Sequence, residues 1–233
     1  MNSANPNPTS PLHLRTPLHD WHAVHGARFR DDNGWLIPTS YSGAGGATGR
    51  LLADISACAK ICLLGRGVPA ATEALLGESA ASKPRGVASF DAGGPALACR
   101  LAEDRLLLLA STPKSGALEE RLAKGSDSAG VVRSDVTTAL AGFLLATEPE
   151  SVLRRLTSHD VSPRALPPGS GAETSLAGVQ ALLVRPPGGG QASARIYVAW
   201  DLAEYVWERL LEAGCDDGIQ PVGWDELPVL GWK

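Results

Sequence analysis

Three apolar runs, Val87–Phe90, Ala96–Leu101 and Arg105–Ala110, follow one another with only short turns between them. The turns are Asp91-Ala92-Gly93-Gly94 and Ala102-Glu103-Asp104. Each run has strand length, and neither link can hold the crossover that parallel neighbours need. The segment therefore reads as an antiparallel meander. Glu173–Arg185 reads as a further hairpin. Hairpin-linked neighbours argue against a doubly wound α/β sheet and for an α+β chain.

The other elements fit around these. Asp20–Ala27 reads as a short helix closed by Gly26, and Asp31-Asp32-Asn33-Gly34 as a turn before Trp35. Leu51–Ser56 is followed by a strand over Ala59–Leu64 that stops at Gly65, then by a helix over Pro69–Leu76. A short helix is predicted at Glu119–Lys124, a strand at Val131–Thr138 running into Leu140–Ala146, and a helix at Glu148–Leu156. Arg195–Trp200 is a strand. After it comes the best helix of the chain, through Leu202, Val206, Leu210 and Leu211 to a stop at Gly214. The later set resembles a repeated split β-α-β unit. The expected organisation is a disordered arm over 1–14, a first part over 15–124, a ferredoxin-like second part over 125–227 and a tail over 228–233.

Composition narrows the function. The formal net charge is −4, and no basic run marks a nucleic-acid or anionic-membrane surface. The N-terminal residues lack an apolar signal core, and no run approaches the ~18 apolar residues of a membrane span. A cytoplasmic location is expected. Cys58, Cys62, Cys99 and Cys215 read as small hydrophobes, since no second pair or nearby His completes a zinc site. His19, His22 and His25, three apart, imitate a row of metal ligands, but no acidic partner is evident and packing is the better reading. Ser42–Gly49 looks like a phosphate loop yet lacks the Gly-Lys-Ser/Thr ending, so a turn is expected.

One stretch is distinctive. Thr16-Pro17-Leu18, His22-Ala23-Val24-His25-Gly26-Ala27 and Gly34-Trp35-Leu36-Ile37-Pro38-Thr39-Ser40-Tyr41 resemble the opening of the glycine-cleavage T-protein. The likeness continues at Asp54-Ile55-Ser56, Ala59-Lys60-Ile61 and Gly65, and closes at Gly218–Gly223. The second half is similar to the gamma subunit of heterotetrameric sarcosine oxidase. The pieces that carry this are Asp135-Val136-Thr137, Glu150–Leu153, Pro163–Gly169, Glu173–Val179 and Tyr205–Glu208. The resemblance implies a T-protein-like folate-binding α+β fold, with mixed and antiparallel sheets and ferredoxin-like split β-α-β elements. It also implies tetrahydrofolate in a central cavity. Ile37 and Tyr41 fall where T-proteins approach that cavity, and Tyr197 falls on the strand after the pterin-gripping position.

The departures from the T-protein pattern are specific. Gly93-Gly94 is followed directly by Pro95, the segment is short, and the family's aspartate is missing. The pterin-gripping glutamate aligns with Arg195, and a guanidinium offers only donors where a carboxylate accepts. No catalytic residue is therefore assigned. Arg100 and Arg195 are candidates for holding an anion, such as a folate polyglutamate tail or a carboxylate substrate. Trp207 is expected to be half buried, and Trp224 and Trp232 exposed as a docking surface. The leading expectation is a non-catalytic, gamma-like subunit of a folate-linked amine-demethylating complex, with flavin and folate on partner chains. The alternatives are a short aminomethyltransferase using a relocated carboxylate, Asp91 or Glu173, and a stand-alone folate or small-anion binder.

Overall fold

A computed structural model describes residues 12–42, 50–77, 84–113, 116–125, 130–146, 148–188 and 193–230. The Gly-rich segment 43–49 and Trp232 lie outside the described residues. The chain opens with β1 (Leu14–Arg15), α1 (His19–Val24), β2 (Ala27–Asp32) and β3 (Trp35–Tyr41), which form a small sheet in the order β1-β3-β2. Leu14, placed in the arm by sequence, is thus the start of a strand that pairs with Trp35. The β2–β3 turn uses Asn33 and Gly34, both at positive φ, and Asp31 Oδ1 accepts the Gly34 N–H at 2.8 Å.

Two larger sheets follow. One contains β5 (Lys60–Leu64), α2 (Val68–Leu76), β6 (Val87–Asp91), β7 (Pro95–Ala102), β8 (Arg105–Ala110), α3 (Gly116–Gly125) and β9 (Val132–Asp135), with strand order β6-β7-β8-β5-β9. The other is built from β10 (Leu140–Ala146), α4 (Pro149–Leu153), β11 (Ser170–Leu176), β12 (Val179–Arg185), β13 (Ser193–Ala199), α5 (Ala203–Ala213) and β14 (Gln220–Val222). It also admits β4 (Leu51–Asp54), giving the order β11-β12-β13-β10-β4-β14. Both sheets run strand, helix, three-strand meander, helix, strand. Leave out β4 and the two strand orders are the same. The split β-α-β plan expected in the second part therefore occurs in the first part as well. Strands also cross the expected boundary near residue 125 in both directions. β4 comes from before it into the later sheet, and β9 from after it into the earlier one.

Alternation along each strand produces the layers. On β10, Ala141, Phe143 and Leu145 face one core while Leu144 and Ala146 face another. On β8, Leu107 and Leu109 face the core that Leu144 faces, while Leu106 and Leu108 face a third. The middle core thus lies between the two sheets. The first is covered by α1, α4 and α5, the third by α2 and α3. Hydrophobic burial on both faces of both sheets gives four layers, helix–sheet–sheet–helix.

Two tryptophan expectations are corrected. Trp207 is fully buried on α5, ringed by Trp21, His22 and Phe143 at 5.4–5.6 Å. Trp224 is buried too. It sits in a 3₁₀ segment (Trp224–Leu230) packed on β3, and its indole N–H donates to the Asp54 carbonyl at 2.8 Å. The chain turns back to reach that position, so this indole is not a free docking surface.

Gly223 makes that return feasible. A Cβ there would lie 2.1 Å from both the carbonyl carbon and the oxygen of Thr39. Gly223→Ala is expected to force β3 and the 3₁₀ segment apart at a cost of about 1–3 kcal/mol. Urea unfolding should show a lower midpoint with unchanged slope. Gly116→Ala, where nothing lies within 4 Å, should not lower it.

Candidate functional site

The largely apolar space between the two sheets contains a cavity of about 320 Å³. β5 and β8 supply Cys62 and Leu107, β12 and β13 supply Leu182 and Tyr197, and the β9–β10 connection closes one end with Val136. Arg105, Glu173 and Gln180 bring polar groups to it. Beside it lies a smaller, more polar cavity of about 200 Å³ with Arg85, Cys99 and Arg100. Leu101 and Glu173 line both, so the two spaces adjoin. A mainly apolar cleft of this size with a few polar groups is the usual form of a small-molecule site.

Strand register explains which groups arrive there. Glu173 on β11 pairs with Leu182 on β12, which faces the inter-sheet core, so Glu173 faces that side too. Its Oε2 accepts a hydrogen bond from Arg105 Nη2 at 2.5 Å, and both side chains are more than one-third exposed. The pair sits at the mouth, where water screens it and it adds little stability. Tyr197 is buried, and burial raises its phenol above the ordinary value despite the opposing Arg195 charge. It therefore keeps its proton and can act as a donor. The Cys62 thiol is raised by burial and lowered in part by Arg105, while burial pushes Cys58 and Cys99 up to about 12. All three thiols are neutral at physiological pH, which agrees with the reading of these cysteines as small hydrophobes.

The structure separates the residues singled out from sequence. Tyr197 lines the cavity, and Arg195 is buried two residues before it, close enough to bias the Tyr197 phenol. Arg100 lines the smaller cavity. Its Nε donates to the Ala102 carbonyl at 2.9 Å and its Nη2 to the Glu103 carbonyl at 2.7 Å, so it braces the β7–β8 turn. Ile37 is fully buried in the middle core as a packing group. Tyr41 lies on the other side of the six-stranded sheet, packed against the helix-facing core. Asp91 caps its own turn, Oδ1 accepting the N–H groups of Gly93 and Gly94 at 2.9 and 3.0 Å. Of the two carboxylates weighed from sequence, Glu173 is thus the one at the cavity.

Tyr41 belongs to a buried chain. Its hydroxyl donates to His22 Nδ1 at 2.7 Å, and His22 Nε2 faces Asp54 Oδ2 at 3.1 Å. This arrangement places the imidazole proton on Nε2. Asp54 Oδ1 accepts the Ser56 N–H at 2.8 Å. Burial opposes ionisation of Asp54, but the His22 contact and the Ser56 hydrogen bond outweigh it and hold its pKa below the usual value. Burial and the Asp54 charge raise the Tyr41 phenol, so it donates and does not act as a base. The chain fastens α1 and β3 to β4. His25 instead stacks on Trp21 at 3.7 Å, and His19 sits beside Phe29 at 4.5 Å. Among the described residues no cluster of His, Cys, Asp or Glu could hold a metal. None of the described helices is long and apolar enough to cross a membrane.

The family of GCVT N-terminal domains matches residues 18–230. The aminomethyltransferase of Geobacillus kaustophilus is 30% identical over 227 residues, covering 90% of this chain and 61% of its own length. That of Saccharopolyspora erythraea is 27% identical over 225 residues, covering 90% and 60%. The chain thus spans about 60% of the length of these curated relatives. Among solved structures, the glycine cleavage system aminomethyltransferase T from Bartonella henselae aligns with a TM-score of 0.73 at 20% identity, over 93% of this chain and 61% of that one. A chain of the heterotetrameric sarcosine oxidase from Corynebacterium sp. U-96 aligns with a TM-score of 0.64 at 21% identity, over 90% of this chain and 98% of that one. These two likenesses establish the fold.

Proposed function

This chain belongs to the family of GCVT N-terminal domains, and from that premise we propose that it binds a tetrahydrofolate-type ligand between its two main sheets. We further propose that it does so as a gamma-like, non-catalytic subunit of a folate-linked amine-demethylating assembly. The cavity beside Tyr197 carries the ligand reading. Its apolar walls suit a flat ring, and its phenol, amide and carboxylate suit polar ring substituents. The near-complete coverage of one sarcosine oxidase chain supports the subunit reading. Tetrahydrofolate would supply the one-carbon acceptor chemistry. This chain's own contribution is to shelter the ring, donate from Tyr197 and accept at Glu173. Arg195 stays a proposed anion-holding residue of the same layer.

Affinity purification from native cells tests the assembly. A large complex with a flavin spectrum is the expected result, and a colourless monomer would end the subunit reading. If that monomer still binds tetrahydrofolate, it is a stand-alone binder. Cys62 tests the cavity. Iodoacetamide should label the exposed Cys215 first and Cys62 more slowly. Saturating tetrahydrofolate should slow Cys62 labelling about fivefold or more and leave Cys215 unchanged. Equal rates with and without ligand would place the ligand elsewhere.

A second reading, a short tetrahydrofolate-dependent aminomethyltransferase, is favoured by the position of Glu173 at the cavity. It requires turnover by the purified chain, abolished in Glu173→Ala. A wild-type protein without turnover ends it.

A further inference from the structure

The described residues lining the two adjoining cavities include three arginines, Arg85, Arg100 and Arg105, against one carboxylate, Glu173. That carboxylate is already bonded to Arg105. Arg195 adds a further guanidinium nearby. It is buried, and its charge reaches the Cys99 thiol in the wall of the smaller cavity. The whole chain has a formal net charge of −4, so this concentration of positive charge runs against its composition. A cleft of one sign with low-dielectric walls focuses its field on the opposite ion.

Arg85 stands where the two sheets meet. Its N–H donates to the Arg100 carbonyl at 2.9 Å, and its carbonyl accepts the Gly171 N–H at 2.9 Å, so its backbone is tied to both β7 and β11. Its φ is 65°, a left-handed conformation that glycine adopts freely and that strains a residue with a side chain. The Arg85 side chain makes no ion pair or hydrogen bond among the described residues, so its fork of donors is open at the smaller cavity. A strained residue whose side chain holds nothing in the fold points to something bound. The bonds from Arg100 to the Ala102 and Glu103 carbonyls orient that guanidinium and bring no negative charge to it. Val87 and Leu101 supply apolar wall.

We propose that the smaller cavity is a carboxylate-binding site, with Arg85 as the bidentate partner and Arg100 and Arg195 as fixed positive charges behind it. The ligand class is a small organic acid, a carboxylate on a short apolar chain. The inference stands on charge and geometry and does not need the folate reading. Such a carboxylate can belong to a free acid or to the end of a larger ligand that lies in both cavities.

Amide NMR of the full chain, titrated with butyrate and with butyramide, tests it. Butyrate should shift the Gly86 and Gly171 amides saturably. Butyramide, of similar shape without the charge, should do so about tenfold more weakly or not at all. Arg85→Gln, which keeps a polar side chain and loses the charge and the fork, should weaken butyrate about tenfold. Arg85→Gly should weaken it as much while melting no lower than wild type, because it relieves the left-handed strain. Equal shifts from the acid and the amide overturn the inference, and so does butyrate binding to Arg85→Gln within about twofold of wild type. The absence of a saturable shift at either glycine overturns it as well. A clearly lower melting temperature of Arg85→Gly would show that the side chain braces the fold, against the inference. Repeating the titration with p-aminobenzoylglutamate present separates the two sources. Competition with butyrate assigns the site to the end of a larger ligand, and independence assigns it to a free acid.

Discussion

Asp54→Ala is expected to lower the unfolding free energy by about 3–5 kcal/mol. Asp54 is fully buried, and three groups depend on it. His22 Nε2 and the Ser56 N–H would lose their acceptor, and Tyr41 would lose the anchored imidazole it donates to. The large cost arises because the deletion strands buried polar partners, whatever the net worth of the intact network. Its pH dependence has a definite sign. The folded-state pKa lies below the ordinary carboxylate value. The stabilisation is therefore complete above about pH 4 and is lost as the pH falls through the lower, folded value. Chemical unfolding across this acid range should show wild type losing stability toward Asp54→Asn as pH drops. A difference that stays constant with pH would show that Asp54 is not ionised in the native protein.

Lys60→Met is expected to cost about 3 kcal/mol near neutral pH, because it leaves buried carbonyls unsatisfied. The Lys60 side chain is 1% exposed, and Nζ donates to the carbonyls of Ser56 at 2.7 Å and Cys58 at 2.8 Å. A longer bond reaches the Thr137 carbonyl at 3.4 Å. Ser56 and Cys58 lie on the crossover from β4 to β5, and Thr137 on the crossover from β9 to β10. These are the two places where this part of the chain passes between the sheets. One ammonium thus clamps both. Burial lowers its pKa to about 8, against the opposing charges of Asp54 and Asp135. Between about pH 8 and the ordinary lysine value of 10.5 the unfolded chain holds a proton that the folded chain has shed. Native stability gains from this group as pH rises through that window, by up to about 3 kcal/mol. The gap between wild type and Lys60→Met should widen from pH 7 to pH 10. A gap that narrows would show that the carbonyl cage raises the lysine pKa and does not lower it.

Both residues lay in motifs that were visible from the start, Asp54-Ile55-Ser56 and Ala59-Lys60-Ile61. Their burial was not visible. A charged residue in a short apolar run is ordinarily taken as a solvated position, and only the crossing of two connections encloses it here. His22 is similar. The three-residue spacing of the histidines was plain, but α1 is so short that each ring takes a different environment. The α4 helix is shorter than its pattern, since Glu148 sits at positive φ and the chain leaves helix after Leu153.

Short-range sequence signals were enough for the local elements: the β6–β8 meander, the β11–β12 hairpin, the β2–β3 turn at Asn33-Gly34 and the α5 helix. Turn chemistry and periodicity act over a few residues, so they can be read from a few residues. The sequence also carried the family likeness, which the match over residues 18–230 bears out. Long-range packing sets the rest: β4 enters between β10 and β14, Trp224 folds back to the Asp54 carbonyl, and Glu173 rather than Asp91 reaches the inter-sheet cavity. Each of these depends on partners far apart in the chain. Strand pairing fixes which face a side chain takes, and no local pattern says which distant strand will supply the pair.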